Sequence, residues 1–396
     1  MEPHGETSRG PRFLRLAIAA LALLLATQGA YKVTTGIWRL WAQDGDWDLQ
    51  TRYREFQLFR VGVYPHYEVE TAPVHLMPGY SVYPPYAFPM MAPLFEPWGD
   101  EQGRYIMTYL SMAGLVFLAA CAYRILRRFG PEIAALGMAA AFAISGNKAV
   151  FLLGQFSIAC TALILLQMVL LARGRPYAAG LCWTFAMIKP QIALPFAALF
   201  LLRRGQIPGL LAGMATLAAL SWVACAWTGV GVIRLADHYL RGMSFAFSQT
   251  GLRIGPGSLA SLLGVDHRIV VFAIFGLALA VGAVATLGLR RLGPPAMLPI
   301  SGLCSVFGML SVYHYMYDQI MLYPAVLATM VVAASTRRPI AIVIAAAMLG
   351  SLLPPMRLVE KEVLPEAIMA VIWIVAGIYP VVTLVLDSRR TKEAVS

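Results

Sequence analysis

Long apolar stretches alternate with short polar segments along almost the whole chain. Most stretches hold roughly 20 residues, enough for an α-helix to cross a hydrocarbon core about 30 Å thick. Helices are expected because a backbone in lipid must satisfy its own hydrogen bonds. The pattern therefore predicts an all-α polytopic membrane protein. We predict twelve spans, two of them short, at 13–35, 104–123, 132–148, 150–172, 176–188, 190–202, 207–228, 268–289, 296–313, 316–335, 339–354 and 365–386.

The composition supports a membrane protein and excludes other classes. Of the 396 residues, 59% are apolar and 13% are charged, whereas soluble domains carry about 25% charged residues. The net charge of +11 does not indicate a nucleic-acid partner, because the basic residues form short clusters between apolar stretches instead of one basic face. The five cysteines show no metal-ligand spacing. We therefore expect residues 1–396 to form a single integral membrane domain.

The basic clusters predict how the chain is threaded through the cell membrane. Cytoplasmic loops are enriched in Lys and Arg, and a cytoplasmic N-terminus places every paired-arginine loop and the C-terminus on that side. Residues 176–202 must then make two short crossings or a re-entrant pair, with Lys189 at the outer turn. One tilted helix there would invert the downstream loops. The clusters are Arg124 with Arg127 and Arg128, Arg173 with Arg175, Arg203 with Arg204, Arg290 with Arg291, Arg337 with Arg338, and Arg389 with Arg390.

Two long loops then face away from the cytoplasm, at 42–103 and 229–267. The first holds nine of the twenty acidic residues, together with eight prolines. Apolar residues recur at helical spacing from Leu49 to Phe59, which predicts an amphipathic helix in the lipid interface. The prolines after Pro65 favour irregular backbone. A loop that only connects two spans needs none of these features.

Four short motifs follow one another along the chain, and together they resemble a known family. They are Asp48-Leu49 with Gly62, Pro65-x-Tyr67 and Tyr83-Pro84-Pro85 in the first loop, Gly154-Gln155 at the opening of a span, Lys189-Pro190-Gln191 between two half-spans, and His314 within the stretch from Ser311 to Tyr317. The set resembles the polyprenyl-phosphate-dependent glycosyltransferases of family 87, which have the GT-C membrane fold. The resemblance implies a GT-C-like bundle of about twelve transmembrane helices with a large first extracytoplasmic loop.

The resemblance also implies a reaction. Members of that family take a sugar from a lipid phosphate carrier, such as polyprenyl-phosphate mannose, and transfer it outside the cytoplasm to a hydroxyl of a glycolipid or polysaccharide. We expect an inverting, metal-independent transfer without a cofactor, with mannose as the sugar and arabinofuranose as the alternative. An acidic residue of the first outer loop acts as the base in the family, which makes Asp48 the candidate here.

The candidate base agrees with the chemistry, although other roles for the same residues stay open. A carboxylate at the membrane surface can take the hydroxyl proton of the acceptor. Asp44 or Asp46 could serve instead of Asp48, and an Asp directly before a helix is also a preferred N-cap. The run from Asp44 to Asp48 could alternatively bind a divalent cation through oxygen ligands.

The leaving phosphate needs positive charge, which Lys and Arg supply at transferring phosphoryl groups. Arg52, Lys189 and Arg253 are the candidates, with His314 as a further catalytic residue. Lys189 could instead be a snorkelling anchor at a helix end. Further tentative substrate contacts are Gln155, Tyr83 and Asp318, the last of which lies four residues after His314 and could orient its imidazole.

A transporter or flippase of a lipid-linked glycan is the alternative function, since it would also have about a dozen spans. Transporters commonly show internal repeats and ionisable groups near the bilayer midplane. This chain has no internal repeat, and its predicted spans carry almost no charge centrally. Acidic residues and candidate bases collect instead at the predicted outer mouth of the bundle. The pattern therefore favours surface chemistry over passage.

Overall fold

Helices form almost all of the chain that the computed structural model describes, which is residues 12–42, 47–65, 83–96, 99–237, 239, 267–311, 316–354 and 363–393. No strand occurs within these ranges. The α-helices are α1 Arg12–Trp41, α2 Trp47–Arg60, α3 Ala87–Phe95, α4 Gly99–Leu126, α5 Pro131–Ala143, α6 Gly146–Leu153, α7 Ser157–Ala172, α8 Pro176–Ala186, α9 Pro190–Ala193, α10 Ile207–Thr228, α11 His267–Leu289, α12 Met297–Ser311, α13 Tyr323–Thr336, α14 Pro339–Ser351 and α15 Val363–Glu393. The 3-10 helices are Arg127–Phe129, Leu194–Leu202, Arg204–Gln206, Arg290–Leu292, Pro294–Ala296 and Met316–Leu322.

The lengths of these helices make the chain a membrane-embedded protein. Among the described residues, five helices are long and apolar enough to span a bilayer, or six if the bent pair α5 and α6 is counted as one span. Several of the shorter predicted spans, such as 190–202 and 339–354, are apolar helices below that length. The all-helical fold is confirmed, whereas twelve crossings stay a prediction.

The chain bends by 47° between α5 and α6. A break of this kind leaves helical carbonyls without partners, and these must be satisfied inside the membrane. Asn147 Nδ2 donates to the carbonyls of Ala141 and Phe142 at 2.7 and 3.1 Å, and Lys32 Nζ on α1 donates to that of Ala143 at 2.7 Å. The polar side chains therefore replace the missing backbone hydrogen bonds, which stabilises the bend.

The chain reverses between α8 and α9. Trp183 Nε1 donates to the Ala193 carbonyl at 3.0 Å, and the Trp183 ring lies 6.4 Å from that of Phe200. Residues separated by 10 and 17 positions would be about 15 and 25 Å apart along one straight helix. The segment 190–202 therefore folds back along α8. Residues 176–202 form two short segments and do not form one tilted helix.

Helix α10 then runs in the same direction as α8 and very close to it. A side chain at Gly180 would collide with the Gly209 backbone, and one at Gly209 would collide with the backbone of Pro176. Small residues permit this backbone approach, as is usual between helices in membranes. The region 171–176 and the start of α10 consequently lie at one end of the bundle, where Gln206 Nε2 bonds to the Leu171 carbonyl at 3.0 Å.

Several of the basic clusters lie at that same end, which we call the arginine end. Arg173 and Arg175 precede α8, and Arg203 precedes α10. A Cβ added to Gly293 would lie 3.1 Å from Arg203 Nη2, so the cluster at 290–291 is close to Arg203. The structure therefore groups basic residues that the sequence assigned to one side of the membrane.

Helices α2 and α3 cover the opposite end of the bundle, which we call the polar end. The predicted helix from Leu49 to Phe59 is present as α2, but its apolar side chains face protein instead of lipid. Leu49 and Phe56 are fully buried, and Phe59 stacks on Phe88 of α3 at 5.5 Å. The irregular backbone expected after Pro65 is wrong for 87–95, which forms α3 because its apolar side chains pack on α2 and α4.

Candidate functional site

Asp48 and Gln155 meet at the polar end of the bundle. Asp48 lies in the first turn of α2, so it is inside the helix and does not precede it as an N-cap. Gln155 Nε2 donates to Asp48 Oδ2 at 2.6 Å, although the two residues are 107 positions apart. Asp48 Oδ1 has no hydrogen-bond partner among the described residues. The side chain of Asp48 is partly exposed, whereas Gln155 is buried.

A glycine turn between α6 and α7 places Gln155 beside Asp48. Gly154 ends α6 with φ +65°, a left-handed conformation that favours glycine. A Cβ at this position would also lie 2.9 Å from Leu49 Cβ, so the turn packs directly against α2. Helix α7 begins only at Ser157, and the predicted span 150–172 is therefore interrupted at Gly154 and Gln155.

Arg52 lies one turn after Asp48 on α2 and is buried. Its Nη1 donates to both carboxylate oxygens of Glu55, at 2.7 and 2.5 Å. Its guanidinium carbon also lies 4.8 Å from the centre of the Tyr83 ring. Burial alone would lower the pKa of Arg52, but the charge of Glu55, with smaller contributions from Tyr83 and Asp48, outweighs burial and raises it. Arg52 therefore stays a cation in a buried place.

Tyr83 connects Arg52 to the turn that carries Gln155. Its ring meets that of Phe156 edge-on, at 6.4 Å. Burial raises the pKa of the Tyr83 phenol well above its ordinary value, and the nearby Asp48 adds to this effect, although Arg52 opposes it. The phenol consequently stays protonated.

Lys189 forms a second charged group with Ser157 and Asp318. Lys189 Nζ donates to Ser157 Oγ at 2.9 Å and to Asp318 Oδ1 at 3.0 Å, and Ser157 Oγ donates to the same carboxylate oxygen at 2.5 Å. The Lys189 ammonium also lies 4.7 Å from the centre of the Tyr317 ring. Lys189 is 3% exposed and Asp318 is 1% exposed. The reversal after α8, the start of α7 and the 3-10 helix before α13 are thus joined by a buried ion pair.

Asp48, Glu55 and Asp318 are three carboxylates at the polar end that differ in the group that donates a hydrogen bond to them. Glu55 and Asp318 each accept a hydrogen bond from a cation, whereas Asp48 accepts one from a neutral amide. A carboxylate that is paired with a cation is a weaker base, because protonating it destroys the ion pair. Of these three groups, Asp48 is thus the one whose hydrogen bond within the described residues comes from a neutral donor.

The sequence-predicted site residues fall into two groups. Asp48, Arg52, Tyr83, Gln155, Lys189 and Asp318 are brought together at the polar end. His314, Arg253, Asp44 and Asp46 lie outside the described residues. Ser157, Glu55 and Tyr317 were not predicted as members of the site. Of these, Glu55 could have been found, because it follows Arg52 by three positions on a predicted helix.

No group of three or more metal-ligating side chains occurs in the part of the chain that the structure describes. The run from Asp44 to Asp46 lies outside that part.

Comparison with known proteins gives one family. The sequence model of Glycosyltransferase family 87 matches residues 82–313, which is more than half of the chain. Tyr83, Gln155 and Lys189 lie inside the matched region, whereas Asp48 and Arg52 lie before it and Asp318 lies after it. No curated protein and no solved structure has a significant match to the chain.

Proposed function

Because the chain belongs to glycosyltransferase family 87, and is therefore a membrane glycosyltransferase, we propose that it transfers a sugar from a polyprenyl-phosphate carrier to a hydroxyl of a glycolipid or polysaccharide. Asp48 is the base in this proposal. The observation that carries it is the arrangement of Asp48, whose Oδ2 is held by the neutral amide of Gln155 while its Oδ1 has no partner among the described residues. Mannose is the proposed sugar, with arabinofuranose as the alternative.

The reaction is a single displacement that inverts the anomeric carbon. Asp48 Oδ1 takes the proton of the acceptor hydroxyl, the oxygen attacks the anomeric carbon, and the bond from that carbon to the carrier phosphate breaks. The phosphate leaves as an anion and needs no proton donor. General-base catalysis of this kind contributes about 10²- to 10⁴-fold to a rate.

Lys189 and Arg52 supply the positive charge for the leaving phosphate. An ammonium has three N–H donors, and the two hydrogen bonds of Lys189 to Ser157 and Asp318 leave one for a phosphate oxygen. Arg52 stays charged beside Asp48. His314 and Arg253, which lie outside the described residues, are proposed to complete the donor site in the loops at the same end, without metal or cofactor.

The proposed topology puts the polar end outside the cytoplasm, with the first loop at 42–103 as the catalytic loop and 229–267 as a second outer loop. The arginine end and both termini are then cytoplasmic in the cell membrane. The positive-inside rule supports this orientation. Exposed single-cysteine variants test it, because Glu96→Cys should react with a membrane-impermeant thiol reagent in intact cells, whereas Arg128→Cys should react only after lysis. The reverse pattern would overturn the orientation.

Transfer of labelled sugar by the purified protein in lipid nanodiscs tests the function. The donors are polyprenyl-phosphate mannose and polyprenyl-phosphate arabinofuranose, and the acceptor is a membrane glycolipid extract. We expect Asp48→Asn to lower the transfer rate by about 10²- to 10⁴-fold, since the amide keeps the shape of the side chain but cannot take a proton. Glu96→Gln, which removes an exposed carboxylate of the same loop, is the control and should keep full activity.

Two outcomes would contradict the proposal. Full activity of Asp48→Asn would exclude this residue as the base. Absence of transfer from either donor, together with movement of a lipid-linked glycan across liposomes that contain the protein, would instead identify a transporter.

A further inference from the structure

The carbonyl oxygen of the Gln155 side chain is buried at the polar end, and no described residue donates a hydrogen bond to it. Gln155 itself is 5% exposed. The nitrogen of the same amide is the one that donates to Asp48 Oδ2 at 2.6 Å. The unpartnered oxygen therefore lies next to the proposed base, on the same planar group that holds it.

An unpartnered buried oxygen costs about 1–3 kcal/mol, so proteins rarely leave one without a purpose. The Asn147 side-chain oxygen is also unpartnered, and its amide nitrogen donates to two backbone carbonyls at the bend between α5 and α6. Gln167 and Gln206 likewise have an unpartnered side-chain oxygen within the described part of the chain. Their amide nitrogens donate to the backbone carbonyls of Phe196 and Leu171, which ties helices together. Gln155 differs because its amide nitrogen donates to a carboxylate that takes part in the proposed reaction.

The backbone around Gln155 leaves the amide little freedom. The Gln155 N–H donates to the Val150 carbonyl at 2.9 Å, and the preceding Gly154 packs against Leu49 of α2. The amide orientation also follows from chemistry, since only its NH₂ group can donate to a carboxylate. The free oxygen is thus held in one position relative to Asp48.

We propose that this oxygen of Gln155 accepts a hydrogen bond from a second hydroxyl of the acceptor, adjacent to the hydroxyl that Asp48 deprotonates. The inference rests on the proposed function and deepens it by naming the acceptor class, a sugar ring with vicinal hydroxyls. The nitrogen and oxygen of one amide are bonded to the same carbon. The Asp48 carboxylate, which the nitrogen holds, and the hydroxyl that donates to the oxygen must therefore be close together. Two hydroxyls on neighbouring ring carbons meet that requirement.

The proton and bond changes of the transfer stay balanced. The attacking hydroxyl gives its proton to Asp48 Oδ1 while the Gln155 N–H holds Oδ2. The neighbouring hydroxyl keeps its proton, which it donates to the Gln155 oxygen. Gln155 is therefore a residue that contacts the acceptor and positions the base, without itself exchanging a proton.

Periodate treatment of the acceptor provides the first test. Mild periodate cleaves vicinal diols, and borohydride then reduces the products. We expect a glycolipid extract treated in this way to lose at least about tenfold of its capacity as acceptor for the wild-type protein in nanodiscs, relative to an extract treated with borohydride alone. Unchanged transfer after periodate would overturn the proposed acceptor class while leaving the proposed function intact.

A second test assigns the hydroxyl to Gln155. Octyl glycosides of mannose, glucose and galactose are compared as acceptors, and the monodeoxy analogues of the best one are then assayed with wild type, Gln155→Met and Gln167→Met. For wild type and Gln167→Met, removing the hydroxyl next to the attacked one should lower kcat/KM at least about tenfold, as expected for losing a hydrogen bond to a buried group. For Gln155→Met, kcat/KM should be the same within about twofold for the deoxy acceptor and for the parent glycoside, because the hydrogen bond is already lost.

Each remaining outcome is decisive. An equal deoxy penalty in Gln155→Met and wild type, or no penalty in wild type, would overturn the role of Gln155. Transfer to the untreated extract but to none of the three glycosides would overturn a simple sugar ring as the acceptor. No transfer by wild type to any acceptor would instead overturn the proposed function.

Discussion

The pair formed by Asp48 and Gln155 and the group formed by Lys189, Ser157 and Asp318 lie at the same end of the bundle, but their charges are neutralised differently. Asp48 is partly exposed and bonded to a neutral amide, whereas Asp318 is buried and bonded to a cation and a hydroxyl. The first carboxylate is thus held by a neutral donor, while the second joins three segments of the chain through an ion pair. The difference shows that residue type alone does not tell whether a carboxylate is paired with a cation or with a neutral group.

The largest expected effect comes from breaking the buried ion pair. Removing one partner leaves an uncompensated buried charge, so Lys189→Met and Asp318→Asn should each lower the free energy of unfolding by about 3–5 kcal/mol. Removing both partners together should cost much less than the sum. Thermal unfolding in detergent measures all three variants, and Asp48→Asn serves as the comparison because it should change stability by less than about 1 kcal/mol.

This prediction also tests the contrast between the two groups. If Asp48→Asn destabilised the protein as much as Asp318→Asn, then Asp48 would be a structural carboxylate as well. Additive losses in the double variant would show that Lys189 and Asp318 do not act as a pair.

A smaller effect is expected at the turn that joins the two groups. Gly154→Ala would force an alanine to φ +65° and place its Cβ 2.9 Å from Leu49 Cβ. Backbone strain and steric overlap together should lower the free energy of unfolding by about 2–3 kcal/mol. The same change should move Gln155 away from Asp48 and so lower the rate of sugar transfer. Unfolding and activity assays check both effects.

Gly174→Ala is the matched control for this variant. Gly174 has φ +69°, but nothing lies within 4 Å of the position of its added Cβ. Gly174→Ala should therefore lower the free energy of unfolding through backbone strain alone, by about 1–2 kcal/mol. Its activity per folded molecule should stay unchanged. Equal activity losses in the two variants would refute a specific role for the Gly154 turn.

The smallest effect is expected for the hydroxyl that bridges the ion pair. Ser157→Ala removes one hydrogen bond to Asp318 and one from Lys189, which should cost about 1–3 kcal/mol. Ser305 is equally buried, but its hydroxyl bonds only to the Gly302 carbonyl of its own helix. Ser305→Ala should therefore be close to neutral in thermal unfolding, and similar losses in both variants would contradict the bridging role of Ser157.

Much of the helical framework could be predicted from the chain alone. The predicted span 207–228 is α10, and the prediction of 268–289 differs by one residue from α11. Such agreement is expected because runs of apolar residues in lipid have few alternatives to a helix. The number of crossings could not be predicted with equal certainty, since short apolar helices such as α14 satisfy the same pattern without having spanning length.

The site was predictable only as a set of separate residues. The first loop and the motifs that begin at Gly154 and Lys189 pointed to segments that the structure brings together, but no local pattern pairs Lys189 with Asp318, which follows 129 positions later. Nor does any pattern indicate that α2 packs against protein, because apolar residues at helical spacing look the same whether lipid or a neighbouring helix covers them.

Apolar length and charge distribution are therefore properties of the chain itself, and they decide that this protein is a helical bundle with its acidic residues concentrated near one loop. Which acid is paired with a cation is decided only when the chain folds. Asp48 is left with an amide partner and Asp318 receives a lysine because the turn at Gly154 and the reversal after α8 bring distant side chains to one place. The partner of a buried side chain is a neighbour in space, and such neighbours lie far apart along the chain.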